Sequence, residues 1–210
     1  MSSHRERVVH GNIVSEHLVQ LFDETESLVA SLHAYLLDAW KDGAGLLVVA
    51  RAPTWALTAA ELEASGCPVP ALIADGKLVV LDAATTLATF MINGEPNVEK
   101  FRATVGDLVE RTSETANGRL AIYGEMVDVL VTQGNYLAAQ QLEEMWNHLG
   151  QRCSFTLLCG YSSANFGDER TSGHLNAICA AHTRSTSRPT DLLATWLLAN
   201  RRPRYHLETQ

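Results

Sequence analysis

GLLVVA, residues 45–50, is a short apolar run entered through the glycine-bearing turn KDGAG (41–45). It is too short for a buried helix and shows no alternation of polar and apolar residues. It therefore reads as a strand covered on both faces, the kind that builds parallel sheets. Upstream, Leu28, Leu32, Tyr35, Leu36 and Ala39 recur at helical spacing, predicting a helix from Glu24 to Asp42. Downstream, Pro53 and Thr54 open a second helix that ends at Gly66. GKLVVLDA (76–83) is a second buried strand with Asp82 at its carboxyl end, and ATTLATFMING follows as a helix closed by Asn93 and Gly94.

The same rhythm continues. A helix is expected from about Val98 to Thr115, a third strand in GRLAIYGEM (118–126), and two helices in EMVDVLVTQGN and NYLAAQQLEEMWNHLGQ. SFTLLCGY (154–161) is a fourth strand, and the SSANFGDER loop leads to a helix carrying Cys179 and His182. Strands alternating with helices predict an α/β fold, with a mostly parallel sheet covered by helices. TRSTSRPT (183–190) reads as a linker separating a domain over 1–183 from a helical extension over 184–210. In that extension Leu193, Trp196 and Leu197 share one side of a helix, which is expected to pack on its own domain.

Bulk composition narrows the function. The 210 residues suit one large domain, and 46% hydrophobic with 19% charged residues excludes a disordered chain. A net charge of -8 opposes direct nucleic-acid binding, and Arg201, Arg202 and Arg204 are too few to reverse it. No segment is long and apolar enough to span a bilayer, and MSSHRERVVHGN lacks the apolar core of a secretory signal. The expected location is cytoplasmic, with four reduced cysteines.

In open α/β sheets ligands gather at the carboxyl ends of strands. Those ends supply Arg51, Asp82, Glu125, and Cys159 with Tyr161, a set suited to a small-molecule pocket. Glu125 has a second reading, as a cap of the helix that follows it. The turn RAPTWALTAAEL lacks glycines, and neither nucleotide-binding glycine signature occurs, so a nucleoside triphosphatase is not expected. No G-x-S-x-G elbow is present either. Cys159, Cys179 and His182 leave three readings open: core packing, a thiol-lined pocket, or a metal site completed by His17 or His174. Haem ligation lacks its C-x-x-C-H signature. His33 reads as an ordinary helix residue.

Several stretches in order resemble the MEDS family: HLVQLFDETESLVASLHAYL, GLLVVA, KLVVLDAATTLATFMINGEPN, GEMVDVL, LEEMWNHL, FTLLCGY and AICAAH, over roughly residues 15 to 183. The resemblance implies a RecA/KaiC-like three-layer sandwich without a phosphate loop. It also implies a non-enzymatic sensory domain, without cofactor, that binds small organic or hydrocarbon-like molecules. On this resemblance His17, Phe22 and Asp23 match the opening histidine-aromatic-acid pattern, although Leu21-Phe22 stands where Phe-Tyr is usual. Glu125 matches the G-E-M glutamate, Cys159 and Tyr161 the L-C-x-Y element, and Cys179 and His182 the closing I-C-x-x-H. The ligand set expected is thus His17, Phe22, Arg51, Glu125, Cys159, Tyr161, Cys179 and His182. The alternative is a metal- or haem-dependent sensor using Cys159, Cys179 and His182. No kinase or DNA-binding motif follows His182, so the output is expected to pass to a partner protein: a kinase, transcription or sigma-factor regulator. A homodimer is among the assemblies this allows.

Overall fold

The computed structural model describes residues 15–116 and 118–201. Six parallel strands form one sheet in the order β3-β2-β6-β7-β1-β8. They are β1 (Glu16–Phe22), β2 (Gly45–Ala50), β3 (Leu78–Asp82), β6 (Leu120–Gly124), β7 (Thr156–Ser162) and β8 (Arg184–Thr186). Continuous apolar runs make β2 and β6 buried at every position. Edge strands β3 and β8 are only partly covered.

Side chains alternate between two cores, one on each face of the sheet. Leu46, Val48, Ala121, Tyr123 and Leu158 face helices α1 (Thr25–Lys41), α2 (Ala52–Ala64) and α3 (Val69–Ala74). Val19, Leu21, Leu47, Val49, Ile122, Leu157, Cys159 and Tyr161 face the other layer. That layer holds α4 (Ala83–Phe90), α6 (Asp107–Thr115), α7 (Met126–Thr132), α8 (Tyr136–Gly150) and α9 (Ser172–Ala181). The result is a three-layer α/β sandwich.

The expected helices and four strands are present, but two strands were not legible. EHLVQLF forms β1, an interior strand between β7 and β8, and RST, inside the stretch read as a linker, forms β8. The helix expected to close at Asn93–Gly94 stops at Phe90. Its last residues instead make a hairpin, β4 (Met91–Ile92) against β5 (Glu95–Pro96). Asn93 at φ 52° and Gly94 at φ 83° supply the two left-handed positions that such a two-residue turn needs.

Helix α10 (Leu192–Ala199) docks on its own domain, burying Ala194 and Leu197 in the second core. Asp23, just past β1, accepts from the backbone N–H of Leu193 and Ala194, both at 2.9 Å. In return Asp191 accepts from Ser27 Oγ at 2.6 Å. Arg202 and Arg204 lie outside the described residues.

Candidate functional site

The eight predicted ligand residues do not converge on one pocket. Arg51 and Glu125 meet at the carboxyl ends of β2 and β6, and four others gather inside the second core. Phe22 packs in the first core and Cys179 in the second.

At the strand ends, the order of strands reverses between β2 and β6, the place where α/β sheets form a crevice. Here an ion-pair network fills it. Arg51 Nη1 lies 3.1 Å from Glu125 Oε1, and Arg51 Nη2 lies 2.8 Å from Asp128 Oδ2. Glu125 also accepts from the Arg51 backbone N–H at 2.7 Å and from Thr54 Oγ1 at 3.1 Å. Burial holds the Glu125 carboxyl above its ordinary range despite these donors. Burial also opposes the Arg51 charge, but Asp128 and Glu125 outweigh it and raise the guanidinium further. Glu125 occupies the N-cap position of α7, yet its carboxylate makes no cap bond and turns to Arg51 instead. Asp128 accepts from the Ser162 N–H and from Asn165 Nδ2, both at 2.9 Å. Asp82, also at a strand end, simply caps α4 by accepting from the Thr85 N–H.

The second cluster is more deeply buried and centres on Glu143, which sequence reasoning did not single out. Glu143 projects from α8 with no exposure. Its Oε1 accepts from Tyr161 Oη at 2.6 Å, and its Oε2 lies 3.1 Å from His17 Nε2. Cys159 Sγ lies 3.3 Å from His17 Nε2 and 3.5 Å from Glu143 Oε2. His182, just past α9, places Nε2 at 3.4 Å from Glu143 Oε1, and the two histidine rings lie 4.0 Å apart. The cluster assembles because β1 and β7 are paired, with Val19 opposite Cys159 and Leu21 opposite Tyr161. Thr183 ties the chain after His182 to His17 through its N–H, at 2.7 Å from the His17 carbonyl.

The outer nitrogens of both rings are fixed. His182 Nδ1 donates to the Ile178 carbonyl at 2.7 Å. His17 Nδ1 lies 2.9 Å from Asn147 Oδ1, and the Asn147 amide is oriented by donating to the Ala181 carbonyl at 2.9 Å. Both Nε2 atoms therefore face Glu143. Burial would lower the His17 pKa, but the Glu143 carboxylate overrides it and raises it; burial, unopposed to the same degree, lowers that of His182. Burial also disfavours the Glu143 charge, yet its carboxyl falls to about 2 because of the histidines and Tyr161. Of the two rings, only His17 has its pKa raised. Burial, reinforced by Glu143, pushes the Cys159 thiol well up, which disfavours a free thiolate nucleophile.

Glu143 carries a signal that sequence could have given. Ala139, Leu142 and Trp146 define the buried face of α8, and Glu143 falls on it with Asn147 one turn on. The other histidines weighed as candidates lie elsewhere: His174 stacks on Tyr136 and bonds Gln140, and His33 bonds Ser65. All four cysteines are free. Among the described residues, no helix is long and apolar enough to cross a membrane.

No curated protein matches this chain. A family model does match it over residues 16–183, described as MEthanogen/methylotroph, DcmR Sensory domain. That span takes in both clusters and every strand but β8, so the chain belongs to the MEDS family of sensory domains.

Proposed function

We propose that this domain is a non-enzymatic, cytoplasmic sensor. It binds a small, mostly apolar organic molecule near Arg51 and Glu125 and signals through a regulatory protein. The supporting observation is a polar chain running from the strand-end crevice to the last helix. Arg51 pairs with Asp128, and Asp128 holds the Ser162 N–H. The next residue, Ser163, donates to Asp23 at 2.5 Å, and Asp23 in turn caps α10. The Arg51 side chain is 33% exposed, so a ligand can reach it from solvent. A polar group competing for Arg51 would loosen Asp128 and shift the loop that anchors α10. That helix displays Leu193 and Trp196, apolar side chains suited to contact a kinase, transcription or sigma-factor regulator.

Two features argue against catalysis. The Arg51 N–H, which a phosphate would need, is already taken by the Glu125 carboxylate. Burial and Glu143 also disfavour a free thiolate at Cys159, so without an ion it makes a poor nucleophile. We expect no ATP or GTP hydrolysis, measured as phosphate release.

The test is a melting-temperature screen against short alcohols, aldehydes and other small hydrocarbon derivatives. A ligand of the native state at 100 times its Kd adds about 2.7 kcal/mol. Saturable stabilisation, lost in Arg51→Ala and accompanied by altered hydrogen exchange over residues 192–199, supports the reading. Ligand-induced stabilisation that Arg51→Ala leaves intact would move the site elsewhere.

A further inference from the structure

The geometry points to a tetrahedral divalent-metal site, of the class that holds Zn2+, formed by His17 Nε2, His182 Nε2, Cys159 Sγ and a Glu143 carboxylate oxygen. These four residues are buried, and their donor atoms lie within 4.8 Å of one another. The closest separations are 3.1 Å for His17 to Glu143, 3.3 Å for His17 to Cys159, 3.5 Å for Cys159 to Glu143 and 3.4 Å for His182 to Glu143. Zinc bonds of about 2.0–2.3 Å in tetrahedral array put neighbouring donors roughly 3.3–3.6 Å apart. His17 Nε2, Cys159 Sγ and Glu143 Oε2 therefore already stand near coordination spacing, with His182 Nε2 within 4.8 Å of them.

Three further observations carry the assignment. First, each histidine has its outer nitrogen committed, His182 to the Ile178 carbonyl and His17 to Asn147, leaving Nε2 for the ion. Outer-shell bonds of this kind orient metal-binding histidines. Second, His182 Nε2 is buried and makes no hydrogen bond. It lies 3.4 Å from Glu143 Oε1 in a direction unsuited to one. A Glu143–His17 ion pair alone explains two members of the quartet but leaves that nitrogen unmet, a cost that natural cores rarely carry. Third, Tyr161 binds Glu143 Oε1, so Oε2, the oxygen nearest His17 and Cys159, remains to coordinate. One carboxylate and one thiolate would neutralise a divalent ion, which suits a buried centre.

This set differs from the one expected from sequence. Cys159, His182 and His17 remain from that set, and Glu143 stands where Cys179 was expected, because Cys179 packs within the core on α9 rather than beside the quartet. The site is separate from Arg51 and Glu125, so it stands or falls independently of the small-molecule reading.

The experiment uses the whole chain, freed of metal by dialysis against a chelator and titrated with Co2+ and then Zn2+. One equivalent of Co2+ should give the intense visible bands of tetrahedral cobalt and a thiolate charge-transfer band in the near ultraviolet. One equivalent of Zn2+ should abolish both. Cys159→Ser should remove the charge-transfer band, and His182→Ala should weaken Zn2+ binding at least tenfold. Asn147→Ala, which removes the partner of His17 Nδ1 and the bond to the Ala181 carbonyl beside His182, should weaken it by roughly ten- to a hundredfold. Cys179→Ser should bind as the native chain does. X-ray absorption on the zinc-loaded native protein guards against misfolded variants: one sulfur at about 2.3 Å among nitrogen and oxygen neighbours is expected. No stoichiometric uptake, a pale six-coordinate cobalt spectrum, or a spectrum that survives Cys159→Ser but not Cys179→Ser would overturn the site.

Discussion

Glu143 and Tyr123 show how differently two buried polar groups can be accommodated. Glu143 accepts from a phenol and a thiol and pairs with the His17 imidazole, so its burial is compensated by specific partners. Tyr123, on the opposite face of the sheet, has a buried hydroxyl without a hydrogen-bond partner. It lies against Gly160, where an added Cβ would sit 2.6 Å from that hydroxyl. Glycine is thus required at position 160 by the ring's approach. Tyr123→Phe removes the unmet hydroxyl while keeping the ring. It should stabilise the fold by on the order of 1 kcal/mol, read from the urea midpoint. Destabilisation by a similar amount would show that the hydroxyl has a partner in solution.

Elements in this molecule are joined by side chains as much as by packing. The two-residue turn between β4 and β5 depends on Gly94 at φ 83°, where a Cβ meets nothing within 4 Å. Gly94→Ala therefore tests backbone conformation alone. It should cost about 1–2 kcal/mol in chemical denaturation. Helix α10 is fastened by Asp23. Burial would raise that carboxyl, but Ser163, Ala194 and Leu193 outweigh it and hold it below the ordinary 3.8. With a depressed folded value, the stabilisation is complete above 3.8 and disappears as pH falls through the folded value. Unfolding measured across that acid window should drop more steeply in the native chain than in Asp23→Asn. Parallel acid limbs would remove Asp23 as the anchor.

Across the whole molecule, two polar centres remain distinct, one at the strand ends and one inside the second core. Glu125 bonds Arg51 and Thr54, whereas His182 bonds the Ile178 carbonyl and adjoins Glu143, so the two share no partner. The expectation that they line one pocket is not met by this geometry. In a double-mutant cycle, Glu125→Gln and His182→Ala should add in stability to within about 0.5 kcal/mol. A coupling clearly above that would mean that the strand-end network and the buried quartet move as one unit.

The layered architecture was written into the chain by itself: GLLVVA, LAIYG and TLLCGYS are largely apolar runs with no exposed side, and only a covered parallel sheet buries both faces. Helical spacing likewise determined α1 and α8. The strand EHLVQLF escaped because His17 and Gln20 interrupt its apolar run, although both are buried. The burial of His17 is tolerable only through partners distant in sequence, Asn147 and Glu143, while Gln20 donates to the neighbouring Leu21 carbonyl. RST is too short and polar to read as a strand, and it forms because β1 offers it an edge. The split of the candidate residues into two centres was decided in the same way. Strand order is set by which edges pair in space, so whether Glu125 meets Arg51 and Glu143 meets His17 and His182 is fixed only by the tertiary structure.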